Sequence, residues 1–411
     1  MDSDAGAVYK RRRGSEPTVR INQTMLRRHG WSSTSVVESL PDEIVELILT
    51  RLALKCLLRF KCVSKKWKST VESLRFKEAQ LRQSQQSGDP DFLYVTEHND
   101  DDDDDDEVRI IPVLGSSSMI RTVKFPSIPN TNVCYGSCDG LICLFSHHTP
   151  NMVANPATRW HQNFPLSRVQ QLLSNMCITE SAWDTPNPQL GFGKDKFTGT
   201  YKPVWLCNSA EFGRRLDNTT TTTCEVFDFN TNAWRYLVPA SPYRILDDHK
   251  PVYFDGSLYW LTECAKVLSF DLHTETFQVI CQAPFSHIPE PQQVDMCILD
   301  NSLCLSQRNW PTQVIWSLLL HSNNTSWKEI CTIDLTKTFS LPEELPCFPL
   351  PVALPVALLE KKTKLLFGPA LMQPMVIHDL HTKSYHKVLS PVGLFGYPVC
   401  HFDSLFSLSP N

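Results

Sequence analysis

The sequence predicts a multidomain protein: a small all-α segment of three helices followed by a long, mainly β domain of the propeller type. Three observations carry this. Of 29 prolines, two lie before residue 87 and 27 after it, a density that excludes long helices downstream. Residues 40–76 place apolar side chains at helical spacing. Further on, two short turn units recur at intervals of 43 and 45 residues, which suits a propeller blade.

Charge divides the 411 residues in the same way. Segments 1–37 and 38–86 each carry net +4, segment 87–107 carries −11, and the remainder −2. We expect a disordered basic tail over 1–37, a helical domain over 38–86, an acidic linker over 87–107 and a β domain over 108–411. The cluster Lys10-Arg11-Arg12-Arg13 could serve nuclear import or be a solvated tail. The run Asp100–Asp106 repels itself and reads as a loop. A total charge of −5 gives no general case for nucleic acid. The longest apolar stretch, Cys347–Leu359, is interrupted by three prolines and falls short of the ~20 residues of a membrane helix, so no membrane span is expected. Fifteen cysteines, without an apolar leader, read as reduced thiols in the cytoplasm or nucleus.

The helical segment opens at Ser39, with Pro41 in the first turn, where a missing N–H is harmless. Ile44, Val45, Leu47, Ile48, Leu49 and Leu52 cover almost the whole circumference of the first helix rather than one stripe. Leu54, Leu57, Leu58 and Phe60 follow, and then Val63, Trp67, Val71 and Leu74 on one face of a third helix. Between Leu40 and Phe76, 19 of 37 residues are apolar. So small a unit cannot bury that much by itself. The surplus meets either a partner or the rest of the chain.

The stretch from Ser39 to Leu52, with Leu57 to Trp67, resembles an F-box in its Leu40-Pro41 start, its Ile48-to-Leu52 helix end and its Phe60-to-Trp67 close. Ala53 departs from the proline usual in plant members. The resemblance implies docking on a Skp-type adaptor, and through it on a cullin scaffold. The adaptor-facing residues it implies are Leu40, Pro41, Ile44, Ile48, Leu52, Leu57, Val63 and Trp67. The alternative for some of them is a place in the small internal core.

In the β domain one unit is an Asp, a Thr three residues on and an aromatic three further. It occurs as Asp228, Thr231 and Trp234, as Asp271, Thr274 and Phe277, and as Asp379, Thr382 and Tyr385. Looser copies end at Trp160 and Trp327. The Asp and Thr satisfy backbone groups at a turn, and the aromatic packs between sheets. The second unit is a tight turn into an apolar strand, at Asp139-Gly140, Asp255-Gly256 and Asp300-Asn301. The stretch Gly191–Trp205, with Ile315-Trp316 and Ser326-Trp327, resembles the plant F-box-associated, kelch-like domain, although no Gly-Gly pair occurs. Blade number and ring closure stay open at this point.

Other chemistry is weakly signalled. Cys134, Cys138, Cys143 and His147 lack the short Cys-x2-Cys knuckle of structural zinc, and two of them read as strand positions. Gly191 and Gly193 lack the third glycine of a dinucleotide loop. No hydrolase or zinc-protease motif occurs. We therefore expect no catalytic residue, cofactor or metal, and a substrate receptor that brings an unknown target protein to a ubiquitin ligase. A non-degradative F-box scaffold, or a propeller hydrolase or sugar-binding protein, is the alternative. Residues 108–411 are expected to fold alone.

Overall fold

The computed structural model describes residues 41–96, 107–111, 121–124, 134, 136–147, 149–179, 186–216, 220–247, 249–288, 290–321, 324–337, 353–368, 375–389 and 398–408. The tail 1–37, Leu40 and the Asp100–Asp106 run lie outside these residues.

Four helices come first: α1 (Asp42–Thr50), α2 (Leu54–Phe60), α3 (Lys65–Glu72) and α4 (Leu74–Ser87). The single helix expected over Val63, Trp67, Val71 and Leu74 is broken at Ser73. That residue is extended (ψ 142°), and its hydroxyl accepts the Phe76 amide at 3.3 Å, ending one helix and starting the next. Ser64 caps α3 in the same way, accepting from Trp67 N at 3.1 Å. Leu57, Val71 and Phe76 are buried, and Phe60 meets Trp67 edge-on at 5.3 Å. The chain divides within α1, into Met1–Leu49 and Thr50–Asn411. Helices α2–α4 thus belong with the β domain, not to a separate body ending at residue 86.

Among the described residues, the strands form six four-stranded antiparallel sheets. The first joins β24 (Val399–His401) to β1 (Asp91–Thr96), β2 (Glu107–Ile111) and β3 (Arg121–Lys124). The second is β4 (Ser137–Cys138), β5 (Leu141–Leu144), β6 (Asn151–Asn155) and β7 (Trp160–Phe164). The third is β8 (Leu190–Lys194), β9 (Tyr201–Asn208), β10 (Thr222–Asp228) and β11 (Ala233–Leu237). The fourth is β12 (Val252–Phe254), β13 (Ser257–Leu261), β14 (Lys266–Asp271) and β15 (Thr276–Gln282). The fifth is β16 (Val294–Leu299), β17 (Ser302–Asn309), β18 (Thr312–His321) and β19 (Asn324–Asp334). The sixth is β20 (Leu354–Leu359), β21 (Lys364–Gly368), β22 (Met375–Asp379) and β23 (Tyr385–Leu389). A helix, α5 (Arg168–Thr179), lies between the second and third sheets in sequence.

The innermost strands are β24, β4, β8, β12, β16 and β20. Each touches the next, and β20 meets β24, so the ring closes. Closure is made by one strand from the end of the domain and three from its start, with Asp91 opposite His401 and Leu93 opposite Val399. This corrects the expected linker over 87–107. Strand β1 lies inside it, with Phe92 and Leu93 buried in two different apolar clusters. Thr96 pairs with Glu107, so the acidic run connects two paired strands of one sheet rather than two domains.

The turns follow the local chemistry. Asp139-Gly140, Asp255-Gly256 and Asp300-Asn301 join first to second strands with positive φ at both residues, as a two-residue hairpin of the primed type requires. A Cβ on Gly140 would fall 2.6 Å from Phe402 O, so this turn also needs glycine for close approach. Between third and fourth strands, Asp271 Oδ1 accepts the amides of His273 and Thr274 at 2.7 and 2.8 Å, and Asp379 those of His381 and Thr382 at 2.9 and 2.8 Å. Outer-strand aromatics then tie the third, fifth and sixth sheets to the one before. Trp234 Nε1 donates to Pro165 O, Trp327 Nε1 donates to Gln282 O, both at 2.7 Å, and Tyr385 Oη accepts from Asp334 N at 2.9 Å.

Two faces result. One, the turn face, carries the first-to-second and third-to-fourth turns. The other, the loop face, carries the second-to-third connections and the sheet-to-sheet crossings, α5 among them.

Candidate functional site

Exposure sorts the residues implied by the F-box resemblance. On α1, Val45 and Leu49 are buried, whereas Ile44 and Ile48 are 43% and 49% exposed. With Leu47, also exposed, they form one face of the helix at i, i+3 and i+4. Pro41 and Val63 are exposed, and Leu52 and Trp67 are half-buried. Leu57 is the exception: at 0% exposure it belongs to the helical core and has no surface to offer a partner. Leu40 lies outside the described residues. Exposed isoleucines on a charged helix are the kind of surface that a partner covers.

Helix α4 itself packs on the turn face. Leu81 packs with Cys138, Phe402 and Phe406, and the amide of Glu360 donates to Asp89 Oδ1 at 3.2 Å. Ion pairs between neighbouring sheets stiffen that face: Lys194 to Asp139 at 2.8 Å, and Lys202 to Glu275 at 2.7 Å, where Arg235 also binds. Those cations hold the Glu275 carboxyl below the usual range despite its burial. The Asp139 carboxylate also accepts from Tyr201 Oη at 2.8 Å. The inner strands surround a cavity of about 1090 Å³, lined by Ser137, Phe192, Val252, Cys297 and Cys400, and the end of α4 lies at its rim through Gln85.

The loop face is different in character. Val238 and Trp310 stand exposed there, with Tyr236 just below on β11. Beside them Arg244 bridges Glu211 at 3.1 Å and Glu263 at 2.9 Å. Burial, reinforced by Asp247, pushes the Glu211 carboxyl up to about 7. Helix α5 packs down through Val169, Leu172, Leu173 and Met176, and Gln170 Nε2 donates to Asn151 Oδ1 at 2.9 Å. That apolar stripe was present in the sequence as a helical signal. Trp310 and Val238 carried none, because single apolar residues in connections have no period.

The zinc-like set does not assemble. Cys138 and Cys143 pack in one apolar cluster and Cys134 in another, and His147 Nε2 lies 2.9 Å from Pro188 O. Burial pushes the Cys134 thiol up to about 12. The fourteen described cysteines are free thiols.

Comparison with known proteins fits this architecture. Residues 37–79 match the F-box domain, and residues 106–368 match the F-box associated beta propeller domain. An F-box/LRR-repeat/kelch-repeat protein of Arabidopsis thaliana is 49% identical over 393 residues, covering 91% of this chain and 98% of the relative. Two F-box proteins of the same plant are 52% and 44% identical, covering 74% and 90% of this chain and 94% and 100% of their own. The chain belongs to the family of F-box proteins that carry an F-box associated β-propeller domain.

Proposed function

We propose that this chain is the substrate-recognition subunit of an SCF-type cullin ubiquitin ligase. The F-box docks on a Skp-type adaptor, and the propeller holds a target protein for ubiquitination. The observation that carries the reading is the solvent-exposed Ile44 and Ile48 on α1, apolar residues on a helix that matches the F-box. Helix α4 enters on the turn face, which leaves the loop face, with Val238 and Trp310, open for a target. The chain's contribution is proximity: it raises the local concentration of target near a charged conjugating enzyme and catalyses nothing itself. Work in the cytoplasm or nucleus fits its free thiols.

The test is Ile44→Asp with Ile48→Asp. Both positions are exposed, so the fold is spared, while two carboxylates enter an apolar contact at about 2 kcal/mol each or more. Capture of a Skp-type adaptor by the full chain should fall by more than about 100-fold. Undiminished capture would remove the F-box from the mechanism.

A further inference from the structure

The fifth sheet carries a cation that the fold does not use. Arg308, at the loop-face end of β17, is only 7% exposed. Among the described residues no hydrogen bond or ion pair ends on its guanidinium. Its neighbours are already engaged. On the paired strand Gln313 is opposite it, and that amide is spent: Nε2 donates to Ala353 O at 2.7 Å and to Ser306 Oγ at 3.3 Å, and Oε1 accepts from Ala353 N at 3.0 Å. Among the described residues Glu290 is the opposing charge that reaches it through space, and its Oε2 accepts from Gln293 Nε2 at 2.9 Å. Burial accordingly pulls the Arg308 pKa below its ordinary value. No Arg308 nitrogen is among the fully buried, unpartnered side-chain atoms, so the guanidinium reaches solvent at the loop face while the fold leaves it unpaired.

Two residues on stands Trp310, 47% exposed, at the tip of the β17–β18 hairpin. The hairpin fixes both: Arg308 pairs with Gln313, Asn309 with Thr312, and Thr312 Oγ1 donates to Asn309 O at 3.1 Å. Two residues of extended chain span at most about 7 Å, so one short segment can touch the guanidinium and the indole together.

We propose that Arg308 and Trp310 form an anchor on the loop face for an acidic side chain of the target polypeptide followed or preceded by a large apolar residue. The carboxylate would take the planar guanidinium and the apolar residue would cover the indole. A carboxylate fits better than a phosphoryl group. One arginine matches one negative charge, whereas a doubly charged phosphate would be left over-charged beside Glu290. This inference rests on the receptor reading given above, because it names the chemistry of what that receptor holds.

The test uses the full chain co-purified with its Skp-type adaptor and panned against random peptides displayed on phage. The wild type should enrich Asp or Glu next to a large apolar residue. Arg308→Met should lose the acidic preference, Arg308→Glu should turn it toward Lys or Arg, and Trp310→Ser should keep the acid and lose the apolar neighbour. Identical peptides from the wild type and Arg308→Glu, or no acidic enrichment by the wild type, would overturn the proposal. Phosphoserine peptides that out-compete their glutamate counterparts tenfold would overturn its carboxylate assignment. Adaptor capture by the same preparations reports separately on the receptor reading. Stability gives an independent check. Arg308→Met removes a charge that the fold leaves unpaired and should leave the melting temperature unchanged or slightly higher. A fall would show that the fold itself uses the guanidinium, and the anchor would be wrong.

Discussion

His378 shows how one side chain couples this fold to pH. It is buried on β22, stacked on Tyr385 with centroids 4.3 Å apart, and its Nδ1 lies 3.3 Å from Ser384 O, while Nε2 is buried without a partner. Burial holds its pKa below 6.5. The folded state therefore resists a proton that the unfolded chain accepts below about pH 6.5. The stability this group contributes is complete above that value and declines as pH drops toward its folded pKa. We expect the melting temperature to fall from about pH 7.5 to about pH 5.5, and the fall to be shallower in His378→Phe; an unchanged slope would acquit this residue. At this scale the sequence was readable wherever the chemistry is local. Asp228, Asp271 and Asp379 were recognisable as turn residues because the amides they accept are two or three positions away. Which apolar residues of the F-box are bare was not readable. Leu57 and Ile48 are equally apolar, and only the packing of other elements decides that the first is buried and the second exposed.

Among elements, β1 was the one concealed. Its six residues sit between a polar helix end and seven aspartates, and the strand that completes its pairing begins at Val399. Composition therefore outweighed a pattern whose reward is non-local. The turn units, in contrast, located the hairpins of the second, fourth and fifth sheets correctly, because the positive φ of Asp-Gly and Asp-Asn pairs is an intrinsic preference. The register of β1 on β2 also changes what the acidic run should do. Deleting Asp100–Asp106 leaves Glu97, His98 and Asn99 between the paired Thr96 and Glu107, a length that suits a three-residue hairpin. We expect such a chain to melt at the same temperature or slightly higher, since like charges are removed and no paired strand is touched. A fall of more than about 4 °C would mean that the run packs against the fold.

For the whole molecule, ring closure sets the boundaries of what can be cut. The expectation that residues 108–411 fold alone left out β1, whose absence would open the ring between β24 and β2. We expect that fragment to be molten or insoluble, and a chain stopped at residue 397, without β24, to behave alike. Residues 74–411 keep α4, β1 and β24 and should unfold in one cooperative step. Circular dichroism melts of the three decide it: cooperative unfolding of 108–411 would mean that β1 is dispensable. The same closure imposes an order on synthesis. Helices α1–α4 leave the ribosome early, whereas α4 waits for Phe402 and Phe406 to pack on Leu81 and the first sheet waits for residues 399–401. A nascent chain thus carries the apolar Ile44, Leu47 and Ile48 positions of α1 for most of translation before it owns a finished ring. Any message that stops short of β24 yields a chain whose first sheet can never be completed and whose ring stays open.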